Sequence, residues 1–460
     1  MLSKEDNELV TNVEQGTPMG EVFRRFWLPV MLASELPVPD CEPVRIKILG
    51  EDLIAFRDTD GRVGLLDAYC PHRGAPMFYG RNEENGLRCV YHGWKFNVEG
   101  ACVDLPSAPE GETYKDKINI VRYPAVEAGD LIWAFMGPED KQPPFPEFEW
   151  LNLPQENRYV RKFKLECNYL QAMEGDYDPS HALFLHSKLE DATIPNALNP
   201  DALSVLARQL GPAGRRAGDD VFPRAVGNRR VLNKPVAELT ETDSGIIAVA
   251  AAEEAPGKWQ ANLNVTIMLP IFCTAGIAGP NTYSSNMRVP IDNESLMFFR
   301  LRWSYDAIPQ RDLDEYRNGE WYFPRLIAGT FIPEDNLHNS YNLDRDKQRT
   351  QTYTGIRTFP LQDIAMMEDQ WGPLAKRHLE HLTSYDYMII QVRQRLLKVA
   401  KNMARGIEPT EPWHPEAYCY RREQAYGATQ EEAIANVTAK ALSSRLQERV
   451  TAVQGVASTR

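Results

Sequence analysis

From Pro43 to Tyr123 apolar and polar residues alternate in short runs, PVRIKIL, EDLIAFR and GRVGLLDA, cut apart by glycine, aspartate and proline. A period of two bounded by turn residues predicts short antiparallel strands, so this stretch reads as a small β domain. GDLIWAFMG, near residue 130, predicts its last strand. The proline-rich KQPPFPEFEWLNLP fits a linker. Ahead of the β domain, residues 1 to about 40 predict a short helix and an opening strand, with PMGEVFRRFW at helical spacing.

A second pattern begins near Arg158. Residues 165–177 predict a helix, which Asp178-Pro179 interrupts. Residues 195–234 are polar, glycine-containing and arginine-rich, and predict a long loop. AELTET, GIIAVAAA, WQANLNVTIML and SLMFFRLRW then predict strands. Helical periodicity resumes after Phe359, residues 385–404 predict an amphipathic helix, and TQEEAIANVTAKALSSRLQER predicts one more. The fold class is α+β, and the expected segments are 1–155, 156–420 and 421–460. No internal repeat and no GxGxxG fingerprint is present, so no reductase domain is expected in the chain.

Charge narrows the partners. The 460 residues carry a formal net charge of −13, a poor match for nucleic acid or an anionic membrane. No run approaches the length of a membrane span. MLSKEDNELV lacks the apolar core of a signal peptide, so the expected location is the cytoplasm. The seven cysteines, at 41, 70, 89, 102, 167, 273 and 419, have no framework spacing. That argues against a disulfide scaffold and for metal ligation or inert core thiols.

Two cysteine–histidine pairs stand out. Cys70-Pro71-His72 is followed, after sixteen residues, by Cys89-Val90-Tyr91-His92. Thiolates suit iron because sulfur is soft, and two neutral imidazoles in place of two thiolates raise a cluster's potential. This is the ligand pattern of a Rieske-type 2Fe–2S cluster. Gly74 and Gly93 would let backbone N–H groups approach the cluster. Zinc also accepts two cysteines and two histidines, but on a compact finger rather than inside a β domain.

Asn168, Gln171, Glu174, Asp178 and His181 form a polar stripe at helical spacing amid apolar residues. Burying it is costly unless partners or a metal satisfy it. His181 and His186 are off-register on a regular helix, and a bulge or a restart at Asp178-Pro179 would bring them together. Asp178 could equally be a simple cap. Two histidines and one carboxylate make the facial triad of non-haem ferrous oxygenases. Asp363 is the candidate acid, with Glu368 and Asp369 as competitors.

Together, RRFWLPV, CPHRG, CVYHGWKFNVEG, CNYLQAMEGDYDPSHALFLH, QDIAMMEDQWGP and HLEHLTSYD resemble the catalytic α subunits of Rieske non-haem iron oxygenases, in their phthalate-dioxygenase-like branch. The resemblance implies a Rieske β domain joined to a helix-on-sheet catalytic domain of the START, or helix-grip, type. It implies one 2Fe–2S cluster on Cys70, His72, Cys89 and His92, and one mononuclear Fe(II) on His181, His186 and Asp363. Asp178 matches the family aspartate that bridges His92 of one subunit to His181 of the next, which implies a homotrimer or a dimer of trimers. Electrons would come from a separate NAD(P)H-dependent flavin/iron–sulfur reductase, with NAD(P)H acting only indirectly, and O2 and an aromatic small molecule would be the substrates. Phthalate-type members hold carboxylates with arginine. The strand region after Pro235 instead carries Val236 and the uncharged run Gly245–Ala252. A fairly neutral aromatic or polycyclic substrate is therefore expected, undergoing mono- or dioxygenation or oxidative dealkylation. The alternatives are a phthalate-like carboxylate dioxygenase, for which arginines 208, 215, 216, 224, 229 and 230 could supply charge, and an electron carrier with an inactive iron site.

Overall fold

The structure is a computed structural model that describes residues 1–109, 113–178, 181–186, 237–275, 282–319, 322–419 and 423–440. The chain divides into two compact units. The smaller comprises Asn12–Pro143 with Val289–Asn293, and the larger comprises the rest. The larger unit thus claims the first helix, α1 (Lys4–Thr11), and its boundary falls at Pro143–Pro144 inside the proline-rich linker. Pro179, Val236, the 195–234 loop and its six arginines lie outside the described residues.

The smaller unit opens with α2 (Pro18–Phe23), capped by the Thr17 side chain. The helical spacing of PMGEVFRRFW stops there. Trp27 already belongs to β1 (Trp27–Leu32), because WLPVML is buried almost throughout and pairs with β10 (Leu131–Phe135). The alternating runs become β2 (Val44–Ile48), β3 (Glu51–Arg57) and β4 (Val63–Asp67) in one antiparallel sheet. A second small sheet holds β5 (Arg81–Glu83), β6 (Gly86–Arg88), β7 (Lys95–Phe96) and β8 (Cys102–Asp104). Strand β9 (Ala125–Ala128) completes the sheet with β1 and β10. Ile54, Phe56, Leu66, Met77, Leu87 and Phe96 pack around Cys70 and Cys89.

The larger unit is built on an eight-stranded sheet. Its path runs β11 (Arg158–Leu165), β17 (Leu296–Ser304), β16 (Thr282–Pro290), β15 (Phe272–Ala275), β14 (Lys258–Met268), β13 (Gly245–Ala255) and β12 (Ala237–Glu241), and β18 (Gln424–Gly427) pairs with β14. Helix α3 (Tyr169–Tyr177) starts later than expected, at the Asn168 N-cap. The residues before it, Arg158–Leu165, form β11, registered along its whole length against β17. A one-turn helix, α4 (Ala182–Leu185), follows. Further along lie α5 (Gln310–Asn318), α6 (Arg345–Thr350), α7 (Phe359–Glu368) and α8 (Tyr387–Met403). Among the described residues, no helix is long and apolar enough to cross a membrane.

The polar stripe on α3 is satisfied by protein partners. The Asn168 amide donates to Thr11 O (3.0 Å) and its oxygen caps the helix. The Gln171 amide donates to Met367 O and accepts from Ala375 N. Buried Glu174 meets Arg377 (3.1 and 3.2 Å) and Arg393 (2.6 Å). These ties fix α3 against α1, α7 and α8.

Candidate metal centres

In the smaller unit two loops repeat one device. Cys70 N–H donates to Ala75 O, and Gly74 N–H returns to Cys70 O; Cys89 N–H donates to Trp94 O, and Gly93 N–H returns to Cys89 O. Each loop closes on a glycine with positive φ, 69° at Gly74 and 81° at Gly93. At Gly93 a Cβ would also meet Pro106 Cγ at 2.6 Å. Both cysteines are buried to 2% exposure. The His72 and His92 rings meet edge to face at 4.5 Å, and His72 stacks on Trp94 at 4.3 Å. Tyr91 lies against His92 at 3.9 Å. The structure therefore brings all four sequence-predicted residues together.

Burial pushes the Cys70 thiol up to about 11, and neighbouring Cys89 adds to the shift. A thiol so shifted holds its proton unless a cation replaces it. Among the described residues, His72 Nδ1 is buried without a hydrogen bond, which is costly for a polar atom lacking another partner. This donor set fits a cluster. Cys102 is also buried nearby, but its Sγ already reaches Asp104 O at 3.6 Å.

In the larger unit, His181 and His186 stand at the two ends of α4. One helical turn brings the pair to a ring separation of 5.2 Å. Asp363, in the first half of α7, meets both: its Oδ1 is 3.0 Å from His186 Nε2 and 3.4 Å from His181 Nε2. The three side chains offer ligand atoms all within 4.8 Å of one another and could hold a metal ion. The competing acids do not join this group. Glu368 accepts from Glu166 N–H and Tyr341 O–H, and Asp369 caps the C-terminus of α7.

The electrostatics also suit a cation. Burial would raise the Asp363 carboxyl, but the His186 and His181 rings outweigh it and hold it well below the usual carboxylate range. Burial would lower His181, but its hydrogen bond to Asp363 and the charges of Asp363 and Asp178 push it up to about 9. Asp178 caps the end of α3, with its Oδ2 3.9 Å from His181 Nδ1. It lies with His181, Asp363, Trp371 and His381 in a surface depression of about 350 Å³.

Sequence reasoning missed two residues here. Gln362 Oε1 lies 2.7 Å from His186 Nδ1, and Phe359 packs on the His186 ring at 4.4 Å. The available signal was a glutamine inside an otherwise apolar helix start. It also missed the arginines facing α3. Asn286 and Arg288 of β16 reach Asp176 on α3 (3.1 and 2.5 Å). On β17, Arg300 and Arg302 share a face with Phe298 and lie over the Tyr322 ring.

The Rieske [2Fe-2S] domain family matches residues 26–121, and the LigXa C-terminal domain-like family matches 134–205 and 259–421. The chain is 34% identical over 407 residues to the phthalate 4,5-dioxygenase oxygenase subunit of Pseudomonas putida, covering 86% of each. It is 41% identical over 413 residues to the tert-butanol monooxygenase / tert-amyl alcohol desaturase oxygenase subunit of Aquincola tertiaricarbonis, covering 88% of this chain and 79% of that one. In fold it is similar to Pseudomonas putida CBB5 NdmA with caffeine, with a TM-score of 0.56, 17% identity, and coverage of 90% of this chain and 97% of that chain.

Proposed function

The chain belongs to the Rieske non-haem iron oxygenases, as an oxygenase α subunit of the phthalate-dioxygenase-like branch, and from that footing we propose that Cys70, His72, Cys89 and His92 hold its 2Fe–2S cluster and that His181, His186 and Asp363 hold its mononuclear iron. The cluster supplies electrons one at a time, and the ferrous centre activates O2 for insertion into an organic substrate. The observation that carries the iron assignment is the convergence of His186 Nε2 and His181 Nε2 on Asp363 Oδ1, at 3.0 and 3.4 Å. Two imidazole nitrogens and a carboxylate oxygen so placed share a cation, a proton when the site is empty and a metal when it is filled.

Two relatives are oxygenase subunits of dioxygenases, and one similar structure is an oxygenase in complex with a ferredoxin. For this chain the electron donor is an NAD(P)H-dependent flavin/iron–sulfur reductase, and the assembly is a cyclic homotrimer or a dimer of trimers in the cytoplasm. Asp178 takes the bridging role, holding His181 on one side and receiving His92 of a neighbouring copy on the other. Its support is position: the carboxylate is partly exposed beside His181 and borders the surface depression.

The substrate is a neutral aromatic or polycyclic compound. Ile246, Ile267 and Cys273 share one sheet face through their register, and buried Ala248 and Leu263 lie on the same strands. Asn286, paired across the sheet with Cys273, donates to Asp176, so this is the face that α3 covers. A carboxylate substrate is the second reading, favoured by Arg300. That side chain is 5% exposed, and its Nε makes no hydrogen bond among the described residues. Arg288 is already matched by Asp176. A substrate panel with a surrogate reductase, followed by substrate-dependent NADH oxidation and product mass, separates the two. Neutral aromatics should outperform dicarboxylates, and the reverse ranking favours the carboxylate reading with Arg300 as its anchor.

A further inference from the structure

Gln362 sits between two fixed points. Its side-chain nitrogen lies 2.9 Å from Ile356 O, and its oxygen lies 2.7 Å from His186 Nδ1. A backbone carbonyl only accepts, so the end of the amide facing Ile356 is the NH2 group. The end facing His186 is then the carbonyl oxygen, which also only accepts. His186 Nδ1 must therefore carry the ring proton and donate it to Gln362. In the neutral ring this leaves the lone pair on Nε2, the atom facing Asp363.

The first turns of α7 thus grip one imidazole on three sides. Phe359 covers its face, Gln362 holds the Nδ1 edge, and Asp363 faces the Nε2 edge. Gln362 is 1% exposed and His186 is 2% exposed, so water does not substitute readily for either contact. We propose that Gln362 is a positioning residue for the mononuclear iron site, fixing the His186 tautomer and ring plane so that Nε2 is the ligand atom. This rests on the assignment of His181, His186 and Asp363 as the iron ligands. Gln362 is not itself a ligand in this assignment, since both ends of its amide are taken by His186 and Ile356.

A glutamine that only fills space beside Ile356 would make a different prediction from one that accepts the His186 proton. Gln362→Leu keeps bulk and loses both contacts. Gln362→Glu keeps an acceptor for His186 and loses the donor to Ile356. Fe(II) binding to the full chain, stripped of its mononuclear metal, is measured by anaerobic equilibrium dialysis beside thermal unfolding. The visible absorbance of the 2Fe–2S cluster serves as the internal control for folding. Loss of an outer partner of a metal-bound histidine weakens binding by about 10–100-fold, and that loss is expected in Gln362→Leu with the cluster intact. Gln362→Glu should bind Fe(II) within about threefold of the parent chain, even as its melting temperature falls. Equal loss of Fe(II) affinity in both variants would overturn the proposal, as would parent-like affinity in Gln362→Leu. If Gln362→Leu fails to fold, Gln362→Met takes its place, keeping bulk without a carbonyl acceptor for His186: weakened Fe(II) binding with the cluster intact supports the proposal, and parent-like affinity overturns it. Failure of the parent chain to bind any Fe(II) beyond the cluster would instead remove the triad assignment itself.

Discussion

Asp363 Oδ1 stands 3.0 Å from His186 Nε2 although the ring's own proton is committed to the opposite edge, at Gln362. The same carboxylate meets His181, whose proton affinity is raised so that pH 7 leaves it charged when no metal is bound. Iron and proton therefore compete at His181.

The competition has a definite sign. A histidine with a raised folded-state pKa contributes stability that is complete below its unfolded value of about 6.5. That contribution is lost as pH rises through about 9. Protein stripped of its mononuclear metal should lose thermal stability over this window, and the iron-loaded form should lose less because the metal replaces the proton. Fe(II) binding at pH 7 should release close to one proton from His181. Thermal unfolding from pH 6 to 10 and proton release in weakly buffered solution measure the two effects.

Glu174 is the anchor of the helix that leads to the histidines. Burial would raise its carboxyl, but Arg377 and Arg393 outweigh burial and lower it. Arg377 is fully buried and Arg393 nearly so. Glu174→Gln would leave one guanidinium without its carboxylate and the other with Glu380 alone. Breaking a buried pair from one side costs about 3–5 kcal/mol. Chemical denaturation should show a loss of that order, together with reduced iron content, because α3 no longer holds its place.

The smaller unit contains three buried cysteines near one another, and the proposed ligands are two of them. Cys70→Ser or Cys89→Ser should abolish the visible spectrum of the cluster. Cys102→Ser should leave it in place, since Cys102 Sγ is turned to Asp104 O. Absorbance and acid-labile sulfide in the purified variants check this.

Asp178→Asn keeps the shape of the α3 cap and removes its charge. The proposed bridge predicts slow turnover with both metals retained. Steady-state rates beside iron content test it, and normal turnover would remove the bridge from the account.

Much of this site was legible because its chemistry is local in sequence. Cys-Pro-His and Cys-Val-Tyr-His each fit on one loop, and a break after Asp178 was enough to predict that His181 and His186 could converge. What stayed hidden depends on long-range partners. The strand TYSSNMRVP was missed because polar Ser284, Asn286 and Arg288 point inward, where Tyr322 and Asp176 meet them. Alternation of apolar and polar residues fails as a signal when both faces are buried. Strand β11 was missed for a similar reason: Arg161 and Lys162 interrupt it, yet Arg161 is tied to Tyr316 O and Lys162 lies over the Phe331 ring. Gln362 could be quoted from the sequence, but its partner is 176 residues away.

The central claim is that one chain carries both an electron-relaying cluster and a separate iron site. Iron analysis of the parent chain beside Asp363→Ala tests it most directly. About three irons per chain are expected in the parent and about two in the variant, with the cluster's visible spectrum identical in both. A parent chain with only two irons, or a variant that keeps three, would contradict the account.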